Sequence, residues 1–540
     1  MPPKATTQIT IDSVLGGLSP TSHFAGASQF RAALGVDPAQ PADDADSATT
    51  TVASGLLRPV ASEKFSSTTI AAAPLWMKTN PKDANVYVYD ARGSAYTVNA
   101  TLSTVTALVD GGTLTTSLGN GCEYYDNYMY FAKNLDIARY GPLDGAAAFD
   151  GDYWTGNLAK TALVSTTYPT TFKNNIQVPN HPMHRHSDGI LYFGDVVGNR
   201  GNIHYIKTTK TTVEGDTDNG STYQALQFGY GLWPTALESY GSSLAVALYE
   251  GSSTGLRQKH AKIAFWDTTS TNFNQITWVE FPDPIITAMK NINGVLYVVS
   301  GSYQTRGFRV TRFAGGYSFD EVYYSETGEP CLQGAIDGTL NRVVFGSHTT
   351  VPESDGCVYA SGLQKAALGQ GMFNIMRATG GNSSTSVTSL CFADATEMGF
   401  YVPIIGWSQA GNGSTSASHG LDKQGTSYSA APSVWWSPVY RVGRPFQVQK
   451  LRLTFAQAIA ANMTLIAKIY TDDGVGTTYT YTTINNTNYP SSDRNVVLRN
   501  DSAGAPIFGK HNFWLELRWS GSAVLTVNLP ITMDVGLYDD

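Results

Sequence analysis

The sequence predicts an all-β protein: a β-propeller of about seven blades, a C-terminal antiparallel β-sandwich and an extended N-terminal arm. Three observations carry this reading. A unit of polar turn plus apolar–aromatic strand returns along the middle of the chain. Strict apolar alternation over longer strands marks its end. The first sixty residues show neither pattern.

The arm comes first. Residues 1–62 are rich in Pro, Ala, Ser and Asp, and PADDADSATTT at 41–51 reads as a solvated linker. Leu15, Leu18, Phe24, Phe30 and Leu34 are scattered apolar anchors between Gly and Pro. They are too few for a core of their own. They suit docking, either along the chain's own body or on a neighbouring subunit.

From residue 63 to 430 the turn-and-strand unit recurs. Its turns align as YDNYMYF, SDGILYF, YGSSLAVA, INGVLYVV and DGTLNRVVF, roughly 45 to 60 residues apart. Two weaker copies flank these, KDANVYVYDARGSAYTV at 82–98 and TSLCFADATEMGFYVPIIG at 388–406. Asn, Asp and Gly tolerate the positive φ of tight hairpins. The Tyr, Val, Leu and Phe that follow favour a pleated, buried surface. One four-stranded sheet cannot cover both of its faces. Stacking such sheets around an axis covers them and leaves only short edges. Leu191 and Tyr192 should therefore occupy a strand equivalent to that of Leu296 and Tyr297.

From 431 to 540 the pattern becomes that of half-buried sandwich strands. Leu451, Leu453 and Phe455 share a face. So do Met463, Leu465, Ala467 and Ile469, and so do Phe513, Leu515, Leu517 and Trp519. The longest run is Leu525, Val527, Leu529, Ile531, Met533, Val535 and Leu537. Trp514 and Tyr470 fall on the opposite face, where a solvated sheet rarely carries large rings.

Composition narrows the function. Only 14% of residues are charged and the net charge is −8. That argues against a general nucleic-acid binder, which shows a basic patch or stripe. Low charge also suits a surface that is covered in the working state. No apolar run is long enough for a membrane span. The start, MPPKATTQITIDSV, lacks the apolar core of a signal peptide, so synthesis in a host cytoplasm is expected. Cys122, Cys331, Cys357 and Cys391 form no C-x-x-C pair and read as reduced core residues. Without a secretory signal, the N-x-S/T matches at Asn99 and Asn382 carry little weight.

Two stretches look like chemistry. In HPMHRHSDGILYFGD at 181–195, His181, His184 and His186 have a spacing reminiscent of metal ligands, with Asp195 beyond. The same slot in GCEYYDNYMYF and ITAMKNINGVLYVV has no such cluster, so the histidines read as polar or interfacial and no metal is expected. EGDTDNG at 214–220 resembles a calcium loop but lacks its closing Glu, and reads as an inter-strand loop. There is no sialidase-type box, G-x-S-x-G, P-loop or Rossmann fingerprint. The sequence nominates no catalytic, cofactor-binding or metal-binding residue, and no cofactor.

The GGLSPTSHF…QFRAALGVDP arm, YYDNYMYFAKNLDIARYGPL, HPMHRHSDGILYFGD and the WWSPVYRVGRPFQVQKLRLTF…FWLELRWSG…VNLPI ending together resemble structural proteins of tailed bacteriophages. The resemblance spans most of the chain and brings no catalytic residue. It implies a non-enzymatic virion component, a tail or nozzle subunit in a symmetric ring. Its partners would be copies of itself and other virion proteins, with transient passage of DNA. A receptor- or glycan-binding propeller on the virion is the first alternative. A polysaccharide-degrading propeller enzyme is the second, and it needs two carboxylates across a cleft.

Overall fold

The computed structural model describes residues 3, 5–14, 17–18, 29–36, 56–57, 59–66, 69–109, 121–132, 136–158, 162–163, 181–197, 199–206, 224–250, 260–301, 307–313, 315–316, 318–325, 331–339, 342–347, 357–361, 372–380, 385–395, 400–409, 418–425, 433–472, 478–490, 492–523 and 525–538. The chain divides into two compact bodies. One is Lys64–Gly356 with Asn382–Lys423. The other is Met1–Glu63, Cys357–Gly381 and Gln424–Asp540.

The first body is a β-propeller. Five four-stranded antiparallel sheets follow one another, opening with Pro74–Thr79, Cys122–Tyr125, Met183–Arg185, Leu232–Tyr240 and Ile285–Ile292. The sixth blade opens with the hairpin of Ile336–Thr339 and Arg342–Gly346. The seventh carries Thr385–Ala395, Phe400–Gln409 and Ser418–Gly425. The first strand of each blade packs on the first strand of the next, and Thr385–Ala395 packs on Pro74–Thr79. That last contact closes the ring. Phe65 N–H also donates to Leu421 O at 3.0 Å, which lays the start of the propeller along its seventh blade.

The layers between blades are apolar, as stacked sheets require. Met77, Val86 and Val88 of the first blade share a buried cluster with Cys391, Val402 and Ile404 of the seventh. Leu191 and Tyr192 lie in the second strand of the third blade, and Leu296 and Tyr297 in the second strand of the fifth. The turns use the expected chemistry. Asp126–Asn127 have φ of 39° and 70°, and Asn293–Gly294 have 51° and 84°, the signature of two-residue hairpins.

The second body contains the sandwich. One sheet runs Ala5–Ile11, Val527–Leu537, Phe446–Phe455, Asn495–Leu498, with Leu56–Leu57 and Ile507–Gly509 pairing at its sides. The other runs Thr478–Thr480, Met463–Thr471, Asn512–Gly521, Val434–Trp436, Ala32–Leu34, with Tyr440–Arg441 beside Asn512–Gly521. Phe446 and Phe513 meet across the layer with ring centroids 5.1 Å apart. The inward residues of the alternation are buried, with three departures: Met463, Leu529 and Leu537 are half-exposed. Leu529 sits where the pairing of Phe446–Phe455 with Val527–Leu537 shifts register between Arg452 and Thr454, and a bulge turns the side chain off the core face.

Two segments add detail to the expected division of the chain. The first is the arm of residues 1–62, expected to dock on its own body or on a neighbour, whose described strands pair within the chain itself. Ala5–Ile11 pairs in seven-residue register with Leu537–Ile531, and Ala32–Leu34 pairs with Val434–Trp436. Phe30 is fully buried beside Trp435. Backbone pairing thus supplies the docking that the scattered anchors alone could not. Arg31 lies 4.8 Å over the Trp514 ring, which stacks on Tyr470, so the outward rings are covered in part by the chain itself. Leu15, Phe24 and the linker at 41–51 lie outside the described residues. The second is Cys357–Gly381, expected within the propeller span, whose strands Cys357–Ser361 and Met372–Arg377 pair antiparallel. It groups with the sandwich body, where Met372–Arg377 packs against Gly17–Leu18 and Ala32–Leu34. Among the described residues no helix is long and apolar enough to cross a membrane.

Candidate functional site at the propeller axis

Each inner strand repeats one motif: a buried apolar residue followed by the residue that faces the axis. The pairs are Met77–Lys78, Cys122–Glu123, Met183–His184, Leu237–Glu238, Met289–Lys290, Ile336–Asp337 and Cys391–Phe392. Strand alternation explains the arrangement. One residue enters the layer between blades and the next turns to the centre. Cys122 and Cys391 occupy the slot that Met, Leu and Ile hold elsewhere. They are free and buried, and burial pushes both thiols well above their usual range. Cys331 is also free and buried. The side chain of Cys357 lies outside the described residues.

Six of the seven axial positions are titratable, and they pair with their neighbours. Lys78 Nζ lies 2.9 Å from Glu123 Oε2, and Lys290 Nζ lies 2.8 Å from Asp337 Oδ1. Asp337 Oδ2 accepts the Phe392 N–H at 3.1 Å. Burial pushes the Asp337 carboxyl up, but the Lys290 ammonium outweighs it and holds the group below the usual carboxylate range. Glu238 behaves in the opposite way. It is 7% exposed, and burial holds its pKa above the usual value despite Lys290 and Lys78 nearby. A cavity of about 210 Å³ lies among these groups, with Trp76, Met183 and Leu390 in its apolar wall.

The histidines separate into two groups. His184 Nε2 accepts the Ser239 N–H at 3.1 Å and lies 3.7 Å from Glu238 Oε1. Burial lowers its pKa to about 3, so the ring is neutral. His186 Nδ1 sits 2.9 Å from Ser239 Oγ, which also lies 2.8 Å from His184 Nε2. Asn291 donates to Ser239 O at 2.7 Å, which ties blades three, four and five together. His181 is elsewhere. It is fully buried, with Nδ1 3.0 Å from Gly194 O and 3.7 Å from Asp195 Oδ1. His204, which the sequence did not single out, approaches the other oxygen of Asp195 at 3.7 Å. The spacing of His181, His184 and His186 therefore does not bring them to one point. Among the described residues no group of three His, Cys, Asp or Glu side chains is placed to hold a metal. EGDTDNG at 214–220 and Asn382 lie outside the described residues.

The axial pairs predict opposite responses to two conservative substitutions. Asp337 has a depressed pKa, so its charged form stabilises the fold. Asp337→Asn should cost about 1–3 kcal/mol near pH 7, since it strands Lys290 in a partly buried site. Glu238 has a raised pKa, so its stabilising form is the protonated one, and that contribution is lost as pH rises from about 4.3 through the folded value. Glu238→Gln should therefore leave stability unchanged or raise it at neutral pH. Urea midpoints of both variants at pH 7 check the contrast, and equal losses would contradict it.

No family model matches the chain, and no curated protein matches it. Solved structures do. The computationally designed Ika8 protein is 14% identical, with 66% of this chain and 99% of that chain covered and a TM-score of 0.34. The WD40 domain of Neurospora crassa Pan2 is 6% identical, with 69% and 96% covered and a TM-score of 0.39. An exo-β-1,3-galactanase from Phanerochaete chrysosporium is 9% identical, with 67% and 96% covered and a TM-score of 0.27. The seven-bladed assignment stands on the closed ring of inner strands described above.

Proposed function

We propose that the chain is a non-enzymatic structural component of a phage virion, a tail or nozzle subunit that assembles into a ring. One observation carries the non-enzymatic part: two of the three axial acids are engaged by lysines, which leaves a single acid and no free pair. Glu123 is held by Lys78 and Asp337 by Lys290, while Glu238 takes the Ser239 N–H at 3.1 Å. Glycoside hydrolysis needs a carboxyl pair free to act across a substrate cleft. Here Glu123 and Asp337 tie blade to blade instead, and Glu238 stands without a second free carboxyl. The phage assignment rests on the sequence resemblance, and the low overall charge supports a surface covered by partners. The axial cavity, about 210 Å³, is far too small for a DNA duplex, so in this reading DNA passes through the lumen of the subunit ring. Negative-stain microscopy and native mass measurement of the purified full chain test the proposal. Closed rings are expected. Monodisperse monomers at high concentration, with isolated copies in the native particle, would overturn it.

A second reading, a glycan- or receptor-binding propeller, is favoured by exposed rings on the outer strands. Trp278 is 40% exposed with Lys262 Nζ 5.1 Å from its centroid, and Tyr324 is 38% exposed with Arg309 beside it. Glycan binding that is lost in Trp278→Ala would favour this reading over the first.

A further inference from the structure

We propose that the axial cavity binds a small alkylammonium ion, its charged head on Glu238 and its aliphatic body against the apolar wall. The first support is a charge count over the groups that line or face the cavity. Glu123, Glu238 and Asp337 contribute three negative charges, Lys78 and Lys290 two positive ones, and His184 none, which leaves one negative charge. The two lysines are each committed to a partner at 2.9 and 2.8 Å. The uncompensated acid is therefore Glu238.

The second support is the geometry of that carboxylate. Its side chain is 9% exposed. Oε1 takes the Ser239 N–H at 3.1 Å and has His184 Nε2 3.7 Å away. Among the described residues Oε2 has no hydrogen-bond partner, while the side chain lines the cavity. A neutral His184 already accepts from Ser239, so it cannot supply the missing positive charge. A buried carboxylate left without a countercharge is costly, and a bound cation relieves that cost.

The third support decides the kind of cation. A hard metal ion takes six or more oxygens. The other polar side chains of the wall are occupied: Gln333 holds both the N–H and the C=O of Met289, and Thr79 Oγ1 donates to Phe392 O. Among the described residues of the wall, only one carboxylate oxygen, Glu238 Oε2, is on offer. The rest of the lining includes Trp76, Met77, Met183, Leu390 and Phe392. One anionic oxygen beside an indole and thioethers matches an ammonium head with a short carbon tail. Lys78 is 35% exposed at its side chain, so the cavity reaches solvent.

Calorimetric titration of the full chain with n-butylammonium tests this, with n-butanol and KCl as controls. Saturable binding is expected for butylammonium and not for butanol or K⁺. Glu238→Gln should weaken it at least about tenfold. A series from methylammonium to bulky tetraalkylammonium ions on the unmodified protein guards against a variant that fails to fold. Binding should strengthen with the first carbons and vanish when the ion outgrows the cavity. Binding equal for butylammonium and K⁺, unchanged in Glu238→Gln, or indifferent to size would overturn the proposal. None of these results bears on whether the chain forms rings.

Discussion

Asp195→Ala is expected to destabilise the propeller by about 1–3 kcal/mol, because it strips the acceptor from polar groups buried on every side. Asp195 is 1% exposed, and its two oxygens lie 3.7 Å from His181 Nδ1 and from His204 Nε2. Oδ1 also accepts the Val196 N–H at 2.7 Å. His204 is packed between Phe193 and Trp154, with centroids 5.4 and 5.8 Å away, so it cannot swing out to water when the acid goes. Burial raises the Asp195 pKa, but the neighbouring His204 and His181 imidazoles, with the Val196 N–H, outweigh it, and the net shift is downward. The sign follows. The stabilisation is complete above the unfolded value of about 3.9 and is lost as pH falls toward the depressed folded value. Denaturation midpoints from pH 7 to pH 3 should therefore fall in the native chain and fall less in Asp195→Asn. A loss under about 1 kcal/mol at pH 7 in Asp195→Ala would contradict a coupled buried polar network there.

This site shows where the sequence was legible and where it was not. The turn-plus-strand unit marked the blades because hairpin φ values and buried strands leave a local trace, as at Asn293–Gly294. The axial ring left a trace as well, an apolar residue followed by a titratable one on six of the seven inner strands, but it was hidden by its variety. Lys78, Glu123, His184, Glu238, Lys290 and Asp337 differ in sign and type, so no residue identity repeats. What repeats from blade to blade is the position on the inner strand, not the residue that fills it. The His181–Asp195–His204 network was half visible. Asp195 was noticed beside the histidines, but His204 reaches it only through the pairing of Leu191–Val197 with Arg200–Ile206, where Phe193 faces His204. The N-terminal strand was not legible, because Ala5–Ile11 is an edge strand with mostly exposed side chains and no alternation to read. Its place is set by backbone hydrogen bonds to residues more than 500 positions away.

Deleting residues 1–14 is accordingly expected to unfold or aggregate the sandwich, not merely to release an arm. Ile11 is 2% exposed and Val14 fully buried, and exposing two such side chains costs about 3–6 kcal/mol. The deletion also strips the partner from Val527–Leu537, the longest apolar strand of the body, and leaves a row of unpaired N–H and C=O groups. Gln8, whose Nε2 donates to Asp534 Oδ1 at 3.3 Å, is lost too, although the Arg452 guanidinium still grips that carboxylate. An arm that only joined subunits would leave a folded, less associated protein on removal. An integral edge strand leaves a protein with a lower melting temperature and a tendency to pair through the bared edge. Light scattering and thermal melting of the truncated chain separate the two. A truncated protein that melts with the full chain and stays monodisperse would show that the pairing of Ala5–Ile11 contributes little. Because association after this deletion can arise from the bared edge alone, ring assembly has to be judged on the full chain, where the edge of Val527–Leu537 is already covered by its own N-terminus.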